Sequence, residues 1–421
     1  MSYDKKQFKD RKGKILFLSD SYSGITPWLI DGKEPAGLPP FYQLVQNLIL
    51  DNYLIYMVYP SNKKPKRQIY ENLLLFCVSE PKGNNRFLKL IQRIFQFFEI
   101  FLQACMIIFK YKPQIIYSTG YSVIIAAFLK RIFGINVVAR IYGTFLYQKL
   151  ETRNLKNLIS ALPEILVFKS PVDSLIITND GTRGDKVAEL LNVPHDKVKF
   201  WINGVDKGEL ENLRGRKIEI RNKLNIPQDF VVISSVGRIA KWKRIDLVVK
   251  IYAEMIKKNP KAFSTLLIIG DGSELEKIKS LTHSLGIDSK VYFIGKVAHK
   301  EALEYIVASD ILLFFYEHSN VGNVLLEALT LGKAVICRNT GDTSNFVIHN
   351  FNGILVSDGQ DDDVILNGSN YLCELINNPC KREKLSQNAI RFSEDKILDW
   401  DLRIKKELDE IQKLMSFIEG K

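Results

Sequence analysis

Residues 310–332 read DILLFFYEHSNVGNVLLEALTLG. Ile311 to Phe315 form an unbroken apolar run of strand length. A polar turn containing Gly322 follows, and from Val324 onward apolar residues recur at helical spacing around one acid, Glu327. A strand, a tight turn and a helix start together make an anion site, because the first amides of a helix have no internal partners and the helix dipole is positive there. For Glu327 the stretch leaves two readings level: an acid that complements the dipole, or one that binds a ligand.

Working outward, the same alternation fills the second half. Apolar runs predict strands at 230–236, 264–269, 290–294 and 334–337, with helical patterns between them. The first half repeats it, with strands at 14–19, 54–58, 114–118, 136–140 and 174–178, a helix from about Phe41 and another over 122–133. Strands separated by helices imply parallel sheets covered on both faces. The expected fold is therefore α/β, with two Rossmann-like doubly wound domains facing across a cleft. Their bounds are 1–206 and 207–395, and a closing helix, 396–421, crosses back to the first domain. The polar, charged segment 206–228 reads as the hinge. Sheets of this kind bind ligands at the C-terminal ends of their strands.

A chain of 421 residues suits two or three domains. The five cysteines are scattered without a CxxC pair, so free thiols in a reducing compartment are expected, not a disulfide or zinc framework. The opening MSYDKKQFKDRKGK lacks the apolar core of a secretory signal. The most apolar helix candidate, Leu90 to Tyr111, is interrupted by Arg93, Glu99 and three glutamines, so it does not read as a membrane span. Its Phe95, Phe98, Leu102 and Met106 fall at helical spacing. The plainer reading packs them in the core; the other rests them on a membrane.

Net charge is +12, and the first 206 residues hold 28 Lys and Arg against 17 Asp and Glu, the remainder 31 against 30. The excess clusters at Lys63, Lys64, Lys66 and Arg67 and again at Lys82, Arg86, Lys89 and Arg93. Such a surface suits anionic lipid or a phosphorylated acceptor, or is simply solvated. No nucleic-acid motif accompanies it, so nucleic acid is not an expected partner.

Residues 234–246, SSVGRIAKWKRID, place two cations, Arg238 and Lys243, after a strand and a glycine turn, an arrangement that suits a diphosphate. Further on come Gly270-Asp-Gly272, Phe293-Ile-Gly295, Ala308-Ser-Asp310, Gly322 to Glu327, Gly332-Lys-Ala-Val and Asn352-Gly353, with Asn203-Gly-Val-Asp206 upstream. In order and spacing this set resembles the retaining nucleotide-sugar glycosyltransferases of family 4, glycosyl transferases group 1, which have the GT-B fold. The resemblance covers most of 200–356; the first half matches only in outline.

The resemblance implies roles. Arg238 and Lys243 would bind and neutralise the donor diphosphate, the leaving group. Glu327, the second acid of the family's Glu-x7-Glu motif, would accept from the ribose hydroxyls. Gly237, Asn320, Val321, Gly322, Asn323 and Val324 would face phosphate or sugar, and Gly295, Lys296 and Val297 the base. Gly37 takes the place of the family's glycine loop, and Tyr142 with Gly143 that of a His-Gly pair near the reacting sugar. Ser319 stands where the family has its first acid and brings no charge; Glu317, two residues earlier, would project to the same side of an extended segment and substitute for it. Asn179 and Arg183, in NDGTRG at 179–184, would face the acceptor or sugar side, or form a plain turn and cap.

The implied activity is sugar transfer from a nucleotide-diphosphate sugar to a hydroxyl acceptor, in surface polysaccharide or glycolipid synthesis, with retention and no required cofactor or metal. A UDP-sugar is the first expectation and a GDP-sugar the second. Asp361 to Asp363 reads as a surface loop before a metal cluster, since the two cations already supply positive charge. The acceptor would be a glycan or lipid-linked hydroxyl, the setting cytoplasmic at the inner face of the membrane, and an anionic membrane surface a peripheral contact. The substituted Ser319 and Tyr142 also leave room for a non-catalytic nucleotide-sugar-binding subunit, or for a nucleotide-sugar 2-epimerase.

Overall fold

The computed structural model describes residues 11–419 apart from Ser23, Ala36, residues 66–69 and 83–84, and Arg153. The opening ten residues, and Lys66 and Arg67 of the first basic cluster, lie outside the described residues. The chain divides into two compact units. One holds Met1–Thr178, Gly184–Trp201 and Asp401–Lys421, the other Asn179–Arg183 and Ile202–Trp400.

The first unit runs β1 (Gly13–Leu18), α1 (Thr26–Asp31), α2 (Pro39–Leu50), β2 (Tyr53–Pro60), β3 (Leu73–Val78), α3 (Arg86–Tyr111), β4 (Ile115–Thr119), α4 (Ser122–Phe133), β5 (Asn136–Ile141), α5 (Leu146–Glu151), α6 (Leu155–Phe168), β6 (Ser174–Thr178), α7 (Gly184–Leu190) and β7 (Val198–Trp201). Its seven strands pair in parallel in the order β3-β2-β1-β4-β5-β6-β7. Side chains alternate across β1: Leu16 and Leu18 join Ile100, Ala104, Ile107 and Ile108 of α3 in one core, while Phe17 stacks on Tyr117 and meets Phe41 of α2 edge-on.

The second unit runs α8 (Lys207–Leu213), α9 (Lys217–Lys223), β8 (Val231–Val236), α10 (Ile245–Lys258), β9 (Ser264–Ile269), α11 (Leu275–Ser284), β10 (Val291–Gly295), α12 (His299–Ala308), β11 (Ile311–Phe314), α13 (Asn323–Thr330), β12 (Ala334–Arg338), β13 (Ile354–Val356), α14 (Asp361–Asn377) and α15 (Pro379–Lys396). Its six strands pair in parallel in the order β10-β9-β8-β11-β12-β13, with a separate apolar core on each face. The last helix, α16 (Trp400–Glu419), belongs to the first unit from Asp401 onward.

Each unit is thus a doubly wound, Rossmann-like sheet, as the alternation of runs implied. Three expectations change. The segment 206–228 is not a hinge: it forms α8 and α9, and Leu210, Leu213 and Ile220 enter the second unit's core. Arg221 locks it there, wholly buried, with its Nη2 2.7 Å from Asp310 Oδ2 and its Nε donating to the Ala308 carbonyl. Burial alone would raise the Asp310 carboxyl, but Lys217 and Arg221 outweigh it and hold the group below its ordinary value. The second unit also begins earlier than Asp206, at Ile202, because Val205 bonds to Leu398 and Trp400 of its own unit.

The third change concerns α3. Phe95, Phe98, Leu102 and Met106 are not core residues: all four are more than half exposed. The sheet takes the opposite stripe, Ile100, Ala104, Ile107 and Ile108, whose smaller side chains let the helix approach. Residues 87–111 are long and apolar enough, by length and composition, to cross a membrane.

Candidate functional site

The second unit's strand order reverses between β8 and β11, and the segments leaving these two strands carry most of the expected residues. After β8 the chain turns at Gly237, φ 141°. Beside it Gly270, φ 140°, ends β9; a Cβ there would fall 1.9 Å from the Gly237 carbonyl oxygen, so the two loops close only around glycine. Arg238 is exposed, and among the described residues its guanidinium makes no hydrogen bond or ion pair. Lys243 lies with its Nζ 3.4 Å from the centre of the Tyr316 ring and 4.2 Å from that of Trp242. Burial first, and the charge of Arg238 second, push its ammonium down to about 7, against a smaller opposing pull from Asp180. Arg244, in the left-handed region at φ 49°, turns the chain into α10 and is held by Asp246 at 3.0 Å and Asp361 at 2.5 Å. Asp361 to Asp363 therefore occupy the first turn of α14, not a surface loop.

The segment after β11 is tightly bonded. Ser319 is buried; its Oγ donates to the Asp180 carbonyl at 2.8 Å and accepts from the Val321 amide at 3.1 Å. Asn320 is also buried, accepting from the Tyr316 amide and donating to the Arg338 carbonyl at 2.6 Å. Its amide function is fully occupied in shaping the loop, and the Val321 amide is likewise taken. The amides of Gly322, Asn323 and Val324 at the start of α13 donate to nothing among the described residues. Glu317 does not substitute for the missing acid. The chain bends at Glu317 and His318, so Glu317 is exposed and lines a cavity of about 370 Å³ with Lys241, Arg244 and Lys277. Ser319 faces Gly181 and Gly341 instead.

Glu327 is buried on α13, and its Oε1 lies 2.8 Å from Nε2 of His299. This hydrogen bond raises the imidazole above its ordinary value, outweighing the opposing effect of burial. The second carboxylate oxygen, Oε2, has no partner among the described residues. His299 opens α12, just beyond Gly295, which ends β10 at φ 80° and whose carbonyl accepts from Gly270. Lys296 is exposed, and Val297 packs against the core. Asn203 donates to Asn323 Oδ1 at 2.9 Å.

Asn179 and Arg183 also belong to the second unit. Arg183 does not stand free: its Nε donates to Asp342 Oδ1 at 3.0 Å and its Nη2 to the Gly341 carbonyl at 3.3 Å. Asn179 keeps a buried Oδ1 without a hydrogen bond among the described residues. In the first unit, Gly37 is exposed at φ 84°, just ahead of α2, and Gly143 lies at φ 134°. The Tyr142 hydroxyl is buried and makes no hydrogen bond among the described residues, and the Arg140 guanidinium lies 4.8 Å from the ring centre of Tyr142. Burial pushes this phenol well up.

The structure thus gathers Arg238, Lys243, Tyr316 and Ser319 around the ends of β8 and β11, with the open end of α13 beside Ser319 and Glu327 one turn further along. It sets Glu317 apart and commits Arg183 and Asn320 to structural bonds. Two titratable positions escaped the sequence reading. His299 is the partner of Glu327, and only its place two residues after Val297 hinted at it. Asp20, which follows β1 where the first unit's strand order reverses, accepts from the Tyr121 amide at 3.0 Å and from Ser122 Oγ at 3.1 Å. Burial raises its carboxyl; its position right after a predicted strand was the available signal.

Residues 216–392 match the family model for glycosyl transferases group 1. An uncharacterised glycosyltransferase of Methanocaldococcus jannaschii is 27% identical over 218 residues, 51% of this chain and 53% of that one. The lipopolysaccharide core biosynthesis glycosyltransferase LpsD of Rhizobium meliloti is 30% identical over 185 residues, 42% of this chain and 50% of that one. The chain spans about half the length of the curated relatives it matches. Among solved structures, Anabaena HepE in complex with UDP and glucose superposes with a TM-score of 0.69 over 95% of this chain and 99% of its own, at 17% identity. The two Rossmann-like units are those of the GT-B fold, and residues 216–392 of the second are similar to glycosyl transferases group 1.

Proposed function

We propose that this protein is a retaining glycosyltransferase of family 4 that moves a sugar from a nucleotide-diphosphate sugar to a hydroxyl acceptor in surface polysaccharide or glycolipid synthesis. The observation that carries the reading is a pair of cations, Arg238 and Lys243, which make no salt bridge to a carboxylate among the described residues, where the second sheet's strand order reverses. The open amides of Gly322 to Val324 add a second source of positive potential. Glu327, steadied by His299 through one oxygen, offers the other to ribose hydroxyls.

In this reading the acceptor hydroxyl attacks the anomeric carbon on the face that the diphosphate leaves. The bond from that carbon to the phosphate oxygen breaks, its electron pair stays on the diphosphate, and a leaving phosphate oxygen takes the acceptor's proton. Arg238 and Lys243 stabilise the charge that grows on the leaving group, and no metal is required. The UDP bound to HepE makes a UDP-sugar the first donor to try. The LpsD relative supports a surface-glycan setting. The first unit is the acceptor-side domain, and the free thiols accord with a cytoplasmic setting.

Thermal shift with UDP, GDP, ADP and their sugars tests donor binding; a ligand at a hundred times its dissociation constant adds about 2.7 kcal/mol. Stabilisation by one nucleoside diphosphate and its sugars, lost in Arg238→Ala, is expected. No shift with any of them would reject the reading. A second reading, a non-catalytic donor-binding subunit, is favoured by one observation: the Ser319 hydroxyl is already bonded on both sides. It predicts donor binding without release of nucleoside diphosphate when a cell extract supplies acceptors.

A further inference from the structure

Three neighbouring helices of the first unit, α3, α4 and α6, cover one face of its sheet and turn apolar side chains outward. On α3, Phe95, Phe98, Leu102, Met106 and Phe109 are 57–71% exposed, opposite the stripe that the sheet buries. On α6, Leu155, Ile159 and Leu162 repeat the pattern at helical spacing, and on α4 Phe128 and Ile132 do so. Phe109 meets Phe133 edge-on at 5.3 Å, joining α3 to α4. A monomer's surface seldom carries so continuous a set of large apolar residues without a partner.

The charges around this face identify the partner. Among the described residues, the exposed charged side chains of the three helices are Lys89, Arg93, Lys110, Arg131 and Lys156, with one acid, Glu99. Glu99 is engaged by the Ser79 amide and hydroxyl. The cations stand at the two ends of the α3 stripe, where long side chains reach past an apolar surface to headgroups. A second copy of this chain docking face to face would set these cations against themselves. Residues 87–111 have the length of a membrane span. However, Ile100, Ala104, Ile107 and Ile108 close the first unit's core, and a spanning α3 would strip that core.

We infer that the outward face of α3, α4 and α6 seats on an anionic lipid bilayer, with α3 lying in the plane of the interface. The inference is independent of the donor reading, because it is tested without nucleotide.

The full chain is sedimented with vesicles of phosphatidylcholine alone or mixed with phosphatidylglycerol. Binding to the mixed vesicles, weakened by salt, is expected. Replacing Phe98→Ser together with Leu102→Ser should cut partitioning at least about tenfold while the melting temperature holds, since both side chains are exposed. Phe95→Trp should be quenched by lipids brominated along their chains. Absence of binding to the mixed vesicles at low salt would overturn the inference, as would an unquenched Trp on bound protein. So would a wild-type dimer in vesicle-free solution that the double substitution turns into monomer.

Discussion

Both units place an arginine near the C-terminal end of a central strand, and they use it in opposite ways. Arg140, near the end of β5, is wholly buried, with its Nε 3.4 Å from Glu407 Oε1. Arg403 holds the other oxygen of Glu407 at 2.9 Å, and the Tyr117 hydroxyl donates to the first. Arg238, two residues past β8, is exposed and has no such carboxylate among the described residues, and its neighbour Lys243 rests on aromatic faces instead. A buried cation with a fixed acid is committed to the fold; removing either member strands the other. A cation left without an acid holds its charge for a ligand.

The sharpest way to break this contrast is Glu407→Ala. It leaves Arg140 and Arg403 without compensation and should lower stability by about 3–5 kcal/mol in urea unfolding. A variant as stable as wild type would erase the distinction. Arg238→Ala should do the converse, costing about 3 kcal/mol of transition-state stabilisation, roughly a hundredfold in turnover, with no change in the unfolding midpoint.

Ser319→Glu, which writes in the acid of the family it resembles, should not raise turnover. Gly181 and Gly341 press on the Ser319 side chain, so the longer group should overpack and cost about 1–3 kcal/mol in thermal or urea melts.

Lys243 sharpens the contrast through pH. Its folded value, about 7, lies below its ordinary 10.5, so folding favours the neutral amine and stability is lost as pH falls from about 10.5 toward 7. Lys243→Met should therefore melt higher than wild type at pH 7 yet bind UDP more weakly. Wild type should take up protons on binding UDP at pH 8, seen as a buffer-dependent heat. The smallest effect belongs to His299. Its folded value is raised, so the Glu327 pair stabilises fully below the unfolded value and fades as pH rises through the folded one. Because the imidazole is largely exposed, His299→Ala should cost only about 0.5 kcal/mol at pH 5.5 and less at pH 8.5.

The two sheets were legible because their central strands are continuous apolar runs. The three strands that escaped, β3, β7 and β13, are all edge strands. β7 and β13 are short, so no long run marks them, whereas β3 is a six-residue apolar run, LLLFCV, whose signal was present in the sequence. The cation loop and Glu327 were legible as local patterns. His299 was not, since it meets Glu327 from 28 residues away. Nor was the bonding of Ser319, which depends on Asp180, 139 residues earlier. For α3 the spacing showed a stripe without showing which stripe the sheet would choose. Segment 206–228 looked like a linker because its charges were visible and the acid that neutralises Arg221 was not.

The placement of α16 has a consequence for synthesis. Glu407 lies on a helix that follows the second unit, yet the tyrosine beside it, Tyr117, is made 290 residues earlier and Arg140 shortly after that. The second unit is almost contiguous and has all its strands as soon as Val356 is out. Until α16 is made, the first unit carries an arginine in its sheet without the carboxylate that pairs with it. Completing the first unit therefore depends on a helix synthesised after the second unit.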